Sequence, residues 1–198
     1  KTYDFYKCLY VVAYQQNLHF RQFFKVLELM GKPWAKDMVH VAYGMVSMED
    51  GAMSTRSGKV VLLEDVLQKA VEKARAIIEE KNPALEKKDE IARTVGTGAV
   101  IFGALVNNKI KDIVFSYDKV LNFDGETCPY VQYTAARCNS VLKKGGTYGA
   151  FTVGALTPEE YELVSILGSF PAVVQSAGEK YEPSFVTRYA IDLAKAYN

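Results

Sequence analysis

Cys8-Leu9-Tyr10-Val11-Val12-Ala13 decides the fold class. It is a continuous apolar run rich in β-formers, the pattern of a strand covered on both faces. Asn17, just beyond it, stands where a helix cap is wanted. Phe20, Phe23, Phe24, Leu27 and Met30 follow at helical spacing and mark a buried stripe, which Gly31 and Pro33 end. Met38-Val39-His40-Val41-Ala42 is a second apolar run, the parallel partner of the first across a helical crossover. A sheet of this kind binds ligands beyond the carboxyl ends of its strands. Those ends are Tyr14-Gln15-Gln16 and Tyr43-Gly44-Met45.

Downstream, Glu49-Asp50-Gly51 is a turn signal, and Val60 to Leu63 read as a short strand. Val66, Leu67, Ala70, Val71, Ala74, Ile77 and Ile78 form one helical stripe, with Lys69, Glu72, Lys73 and Arg75 on the other face and Pro83 beyond. Ile91, Val95, Gly98, Ala99, Phe102, Leu105 and Val106 predict another helix, although Gly96, Gly98 and Gly103 each cost roughly 1 kcal/mol against alanine there. Asp112 to Asp118 read as extended and Asp124-Gly125 as a turn. From Pro129 onward the pattern is helical: Tyr130 to Leu142, then a glycine-rich connector, a helix started by Thr157-Pro158-Glu159-Glu160, and a last one through Phe185, Tyr189, Leu193 and Tyr197. The expected fold is therefore α/β followed by all-α, with a seam near residues 116–128.

The 198 residues carry 24 basic and 23 acidic side chains, a net charge of +1, and 49% are apolar. This is a globular mixture that excludes a histone-like tail or an acidic solvating chain but leaves room for a local nucleic-acid patch. Cys8, Cys128 and Cys138 are too few and scattered for a disulfide framework, so a reduced intracellular compartment is expected. With only His19 and His40 beside them, they make no metal site. No apolar run approaches the ~20 residues of a membrane span, and no signal peptide is expected. The chain begins at Lys1 and stops at Asn198 within a helical pattern, which reads as an excised piece.

Three features could carry chemistry. Ala52-Met53-Ser54-Thr55-Arg56-Ser57-Gly58-Lys59 combines hydroxyls, cations and glycine into a phosphate clamp, or is simply a solvated basic turn. Gln16 and His19 lie where the first strand hands over to its helix, placed to hold a ligand or only to finish a helix end. His40, inside a strand, has the usual explanation of a hydrogen-bonded core histidine. On the helix from Tyr130, Val131, Ala135, Cys138 and Leu142 share one stripe at 100° per residue, with Tyr130, Tyr133 and Arg137 opposite. Two aromatics and an arginine on an outward face suit base stacking and phosphate contact, and equally suit packing against another domain.

In chain order these features stop being independent. Tyr10-Val11-Val12, Gln16, His19-Phe20, His40-Val41-Ala42-Tyr43-Gly44-Met45-Val46 and Met53-Ser54-Thr55-Arg56-Ser57-Gly58-Lys59 together resemble the second half of the arginyl-tRNA synthetase catalytic domain. Phe123-Asp124-Gly125-Glu126-Thr127-Cys128-Pro129-Tyr130-Val131-Gln132-Tyr133-Thr134-Ala135-Ala136-Arg137 resembles that family's lead-in to its anticodon-binding helices, and Glu182-Pro183-Ser184, Tyr189 and Leu193-Ala194 continue the likeness. The resemblance implies a class I synthetase: ATP-dependent activation of L-arginine, with Mg²⁺, then transfer to the tRNA for arginine. It implies that Met53, Ser54, Thr55 and Arg56 align with the Lys-Met-Ser-Lys-Ser loop that stabilises departing pyrophosphate. Gln16 would contact arginine; His19, His40, Gly44, Met45, Val46 and Lys59 would serve the ATP side; Tyr130, Tyr133 and Arg137 would meet tRNA. Ala52 stands where a lysine is usual and Thr55 where the second lysine is general, so Arg56, Lys59 or a lysine outside this chain would supply the cation.

The His-Ile-Gly-His signature of class I does not occur in these residues. The expectation is thus a cytoplasmic fragment without its N-terminal half. Residues 1–115 would be the C-terminal half of the Rossmann-type domain with its stem-contact connection, and 116–198 the start of the anticodon-binding bundle. Alone, the piece is expected to be inactive. The alternative is a non-catalytic tRNA-binding module or paralogous fragment; a third outcome is self-association through an unpaired strand edge.

Overall fold

A computed structural model describes residues 5–49, 61–146, 149 and 154–198. β1 (Cys8–Ala13) and β2 (Met38–Tyr43) pair in parallel, from Cys8 opposite Met38 to Ala13 opposite Tyr43. The crossover runs through α1 (Asn17–Leu29) and a 3₁₀ turn at Pro33–Asp37. Tyr10 on β1 lies 5.1 Å from Phe20 and 5.6 Å from Phe24 between ring centres, so α1 covers this face of the strand with an aromatic cluster.

Two local expectations change. β1 is covered on one face only: Leu9 and Val11, 46% and 63% exposed, alternate away from α1, and none of the described residues packs over them. Asn17 does not cap α1. A 3₁₀ turn at Tyr14–Gln16 runs into the helix, and the Asn17 N–H bonds the Tyr14 carbonyl, so the backbone itself takes up an otherwise orphaned donor.

After β2 the chain passes through Gly44 and Met45 into β3 (Val46–Met48). Its partner is β4 (Ile113–Phe115), again parallel, with Val46 opposite Ile113. Between them run α2 (Leu63–Lys81) and α3 (Lys88–Leu105). Val61 and Leu62 precede α2 and form no strand; Leu63 starts the helix, whose first turn carries Glu64 and Asp65, where acidic groups favour the helix N-terminus. The buried small residues Ala70, Ala74, Ala92 and Ala99 let the two helices pack closely, and Gly96 is the tightest point: a Cβ there would lie 2.6 Å from the Val71 backbone. The glycine that weakens α3 as an isolated helix is what allows it to pack.

α4 (Tyr117–Val120) is a single turn, so only part of residues 112–118 is extended. α5 (Cys128–Gly145), α6 (Pro158–Lys180) and α7 (Ser184–Tyr197) follow. α6 opens with a full capping box between Thr157 and Glu160. Along α5, Val131 and Cys138 are half-buried, whereas Ala135 and Leu142 are exposed. The buried line is instead Pro129 and Thr134, because α5 faces α7 and α3 together. Between α5, α6 and α7 an apolar groove of about 650 Å³ is lined by Val131, Leu167, Phe170, Tyr189 and Leu193. The described chain is thus mostly helical, seven helices with two small parallel sheets. No described helix is long and apolar enough to cross a membrane.

Candidate functional site

The carboxyl ends of β1 and β2 come together as the parallel pairing demands. Gln16 ends the 3₁₀ turn after β1 and is exposed. His19, one turn into α1, is also exposed, its ring stacked 6.2 Å from Phe23. His40 lies deeper. Its Nε2 is 2.9 Å from the Val12 carbonyl, which can only accept, so the ring carries a proton there. Phe20 stacks on its face at 4.3 Å. This is the hydrogen-bonded histidine that the strand position predicts, tying β2 to β1.

Gly44 is buried beneath a strap formed by residues 106–112. Its N–H donates to the Lys109 carbonyl at 2.7 Å. The Met45 N–H donates to Asp112 Oδ1 at 2.6 Å, and the Met45 carbonyl accepts from Ile113 at 2.9 Å. In a parallel ladder that assigns the bonds to Ile113, so Val46, directly opposite it, turns its own N–H and C=O to the other edge.

Asp112 escaped the sequence reading. Its second oxygen accepts from the Tyr14 hydroxyl at 3.2 Å, joining the end of β1 to the end of β2. The hydrogen bond to that carboxylate pushes the Tyr14 phenol above its usual range. An aspartate before an apolar triplet carries no sequence signal of its own; only the register of β4 beside β3 aims it at Met45.

Met53, Ser54, Thr55, Arg56 and Lys59, with the rest of the hydroxyl-rich loop, lie outside the described residues. Among the described residues no three His, Cys, Asp or Glu side chains gather as metal ligands.

On α5, Thr127 caps the helix by accepting from the Tyr130 N–H. Tyr133 is 57% exposed, and Arg137 is exposed. Tyr130 is half-buried and turns toward α7: its hydroxyl accepts from Asn198 Nδ2 at 3.2 Å, and Arg137 donates to Asn198 Oδ1 at 2.7 Å. The three residues share a side of α5, but Tyr130 and Arg137 meet at Asn198 while Tyr133 stands apart.

The model of the class I tRNA synthetases (R), catalytic domain, matches residues 1–117, and that of the DALR anticodon binding domain matches 131–198. An arginine–tRNA ligase of Halothermothrix orenii is 54% identical over 100% of this chain and 36% of its own length. One from Clostridium beijerinckii is 53% identical with the same coverage. The arginyl-tRNA synthetase structure from Thermus thermophilus superposes with a TM-score of 0.87 at 37% identity, covering 97% of this chain and 32% of that one. The chain therefore spans 36% of the length of the curated relatives it matches. With more than half of its residues matched by the catalytic-domain model, the chain belongs to the family of class I tRNA synthetases (R), the arginyl-tRNA synthetases.

Proposed function

We propose that the chain is part of a cytoplasmic arginine–tRNA ligase: residues 1–115 the later half of its Rossmann-type domain, residues 116–198 the first helices of its anticodon-binding bundle. In the whole enzyme a carboxylate oxygen of L-arginine attacks the α-phosphorus of ATP and pyrophosphate leaves. A ribose hydroxyl at the tRNA terminus then attacks the arginyl carbonyl, and AMP departs.

The observation that carries this reading is the convergence of Gln16 and Gly44–Val46 at one end of the β1–β2 sheet. Gln16 orients arginine. The outward N–H and C=O of Val46 match the ring-nitrogen acceptor and amino donor of adenine. Met45, its own peptide groups already bonded, fixes the height of Val46; His40 fixes β2, and His19 borders the ribose side. Ser54, Thr55, Arg56 and Lys59, on the loop with Met53, hold phosphate oxygens as charge moves onto pyrophosphate. Mg²⁺, bound with ATP, would neutralise part of that charge. Tyr133 and Arg137, with Tyr130 beside them, form the face that meets tRNA.

Arginine-dependent ATP–pyrophosphate exchange tests the proposal. The full-length protein carrying this segment is expected to be active, and Gln16→Ala to raise KM for arginine roughly tenfold, the equivalent of ~1.4 kcal/mol, with KM for ATP little changed. The 198-residue chain alone is expected to stay at background. An unmoved arginine KM removes Gln16 from the pocket, and exchange by the chain alone refutes the division of the site.

A further inference from the structure

One buried carboxylate has no part in the chemistry above. Glu182, on the turn between α6 and α7, is 5% exposed. Its Oε1 accepts from the Lys109 backbone N–H at 3.1 Å and from the Ser184 hydroxyl at 2.8 Å. Its Oε2 lies 3.3 Å from the Lys109 ammonium, which also donates to the Lys180 carbonyl at 3.0 Å. A buried carboxylate is strongly unfavourable unless its oxygens are paired in this way.

What Glu182 holds gives the cluster its meaning. Lys109 is bonded at both backbone groups: its N–H to Glu182, its C=O to the N–H of Gly44. The strap cannot shift at Lys109 without moving Gly44, and Gly44 cannot shift independently, because the Lys111 carbonyl already occupies the space of a Cβ. The turn itself is fixed. Tyr181 adopts φ 51°, ψ 42°, a left-handed conformation uncommon for a residue with a side chain, and the Glu182 N–H bonds back to the Ala177 carbonyl at 2.9 Å. The Tyr181 hydroxyl also accepts from Lys7, just ahead of β1, at 3.1 Å. Thr187 on α7 donates to the Leu105 carbonyl at the end of α3. The α6–α7 turn is therefore tied to the strap, to the chain just ahead of β1 and to the end of α3.

We infer that Glu182 is a positioning residue for the nucleotide side of the site, acting through the Lys109 backbone on Gly44. The inference rests on reading Gly44–Val46 as the adenosine side. In the full-length enzyme, Glu182→Ala is expected to speed hydrogen exchange at the Gly44 amide and to raise KM for ATP roughly fivefold, leaving KM for arginine within roughly twofold. Glu182→Gln keeps an oxygen for the Lys109 N–H and is expected to fall closer to wild type than the alanine variant. If Glu182→Ala does not fold, Ser184→Ala carries the test, since it loosens the same carboxylate by one hydrogen bond; a smaller change of the same kind supports the inference. Unchanged Gly44 exchange in a folded variant overturns it, as does an equal change in both KM values or a loss of kcat with ATP KM unmoved. Faster Gly44 exchange with no kinetic change at all instead overturns the assignment of Gly44–Val46 to adenosine.

Discussion

Gly44 sits where β2 has just ended, and a Cβ there would lie 2.3 Å from the Lys111 carbonyl oxygen. The obstacle is backbone, so it cannot rotate aside. Gly44→Ala is expected to cost ~1–3 kcal/mol, the range for overpacking, and to loosen the neighbouring Met45–Asp112 bond. The shift in denaturant midpoint measures it; a variant as stable as wild type would mean that the strap moves freely. The same residue shows where sequence reading stops. Gly44 was legible as a strand end, because hydrophobic patterning is local. Its need to be glycine was not, because the obstructing atom belongs to a residue 67 positions away. Asp112 is illegible for the same reason. His40 was legible in both senses, since a strand histidine between apolar neighbours must find a backbone partner, and Val12 provides it.

Helix periodicity marks α1, α2, α3 and α7, whose inward residues recur every three to four positions, and the Thr157-Pro158-Glu159-Glu160 start marks α6; on α5 it finds the helix but not the buried line, which is Pro129 and Thr134. β4 is legible within the extended run from Asp112 to Asp118, whereas β3, only three residues long and placed just after β2, has no pattern of its own to read. The glycines of α3 divide by what faces them. At Gly96 a Cβ would strike the Val71 backbone, whereas at Gly98 the nearest atoms are the Cys128 sulfur at 2.9 Å and the Gln132 amide at 3.0 Å, side chains able to turn. Alanine gains roughly 1 kcal/mol of helix preference at either position. Gly96→Ala is therefore expected to destabilise by ~1–2 kcal/mol net of that gain, as α2 and α3 are forced apart. Gly98→Ala should be near neutral. Equilibrium unfolding of the two variants reads the difference, and the reverse order would show that α2 and α3 are not held at this distance. Of the ion pairs that also join them, Arg75 with Asp89 is largely exposed and contributes little beside that packing, while Lys88, mostly covered, pairs with an exposed Glu79.

Among the described residues, Glu182 is a buried polar link between α6–α7 and the strap beside the sheet that ends at the candidate site. Burial alone would push its carboxyl up. The hydrogen bonds from Ser184 and from the Lys109 N–H and ammonium outweigh that and leave it below the usual value of 4.5. A carboxylate held down in the folded state binds protons more readily once unfolded. Its contribution to stability is therefore complete above the unfolded value and is lost as pH falls through the folded one. Glu182→Gln mimics the protonated form and removes this dependence. The stability difference between wild type and Glu182→Gln should be full near pH 6 and shrink steadily below about pH 4.5, where the unfolded carboxyl begins to protonate. Denaturant midpoints of both proteins across that range test it. A difference that stays constant down to pH 3 would mean that Ser184 and Lys109 do not hold the Glu182 carboxyl below its usual value in the folded protein.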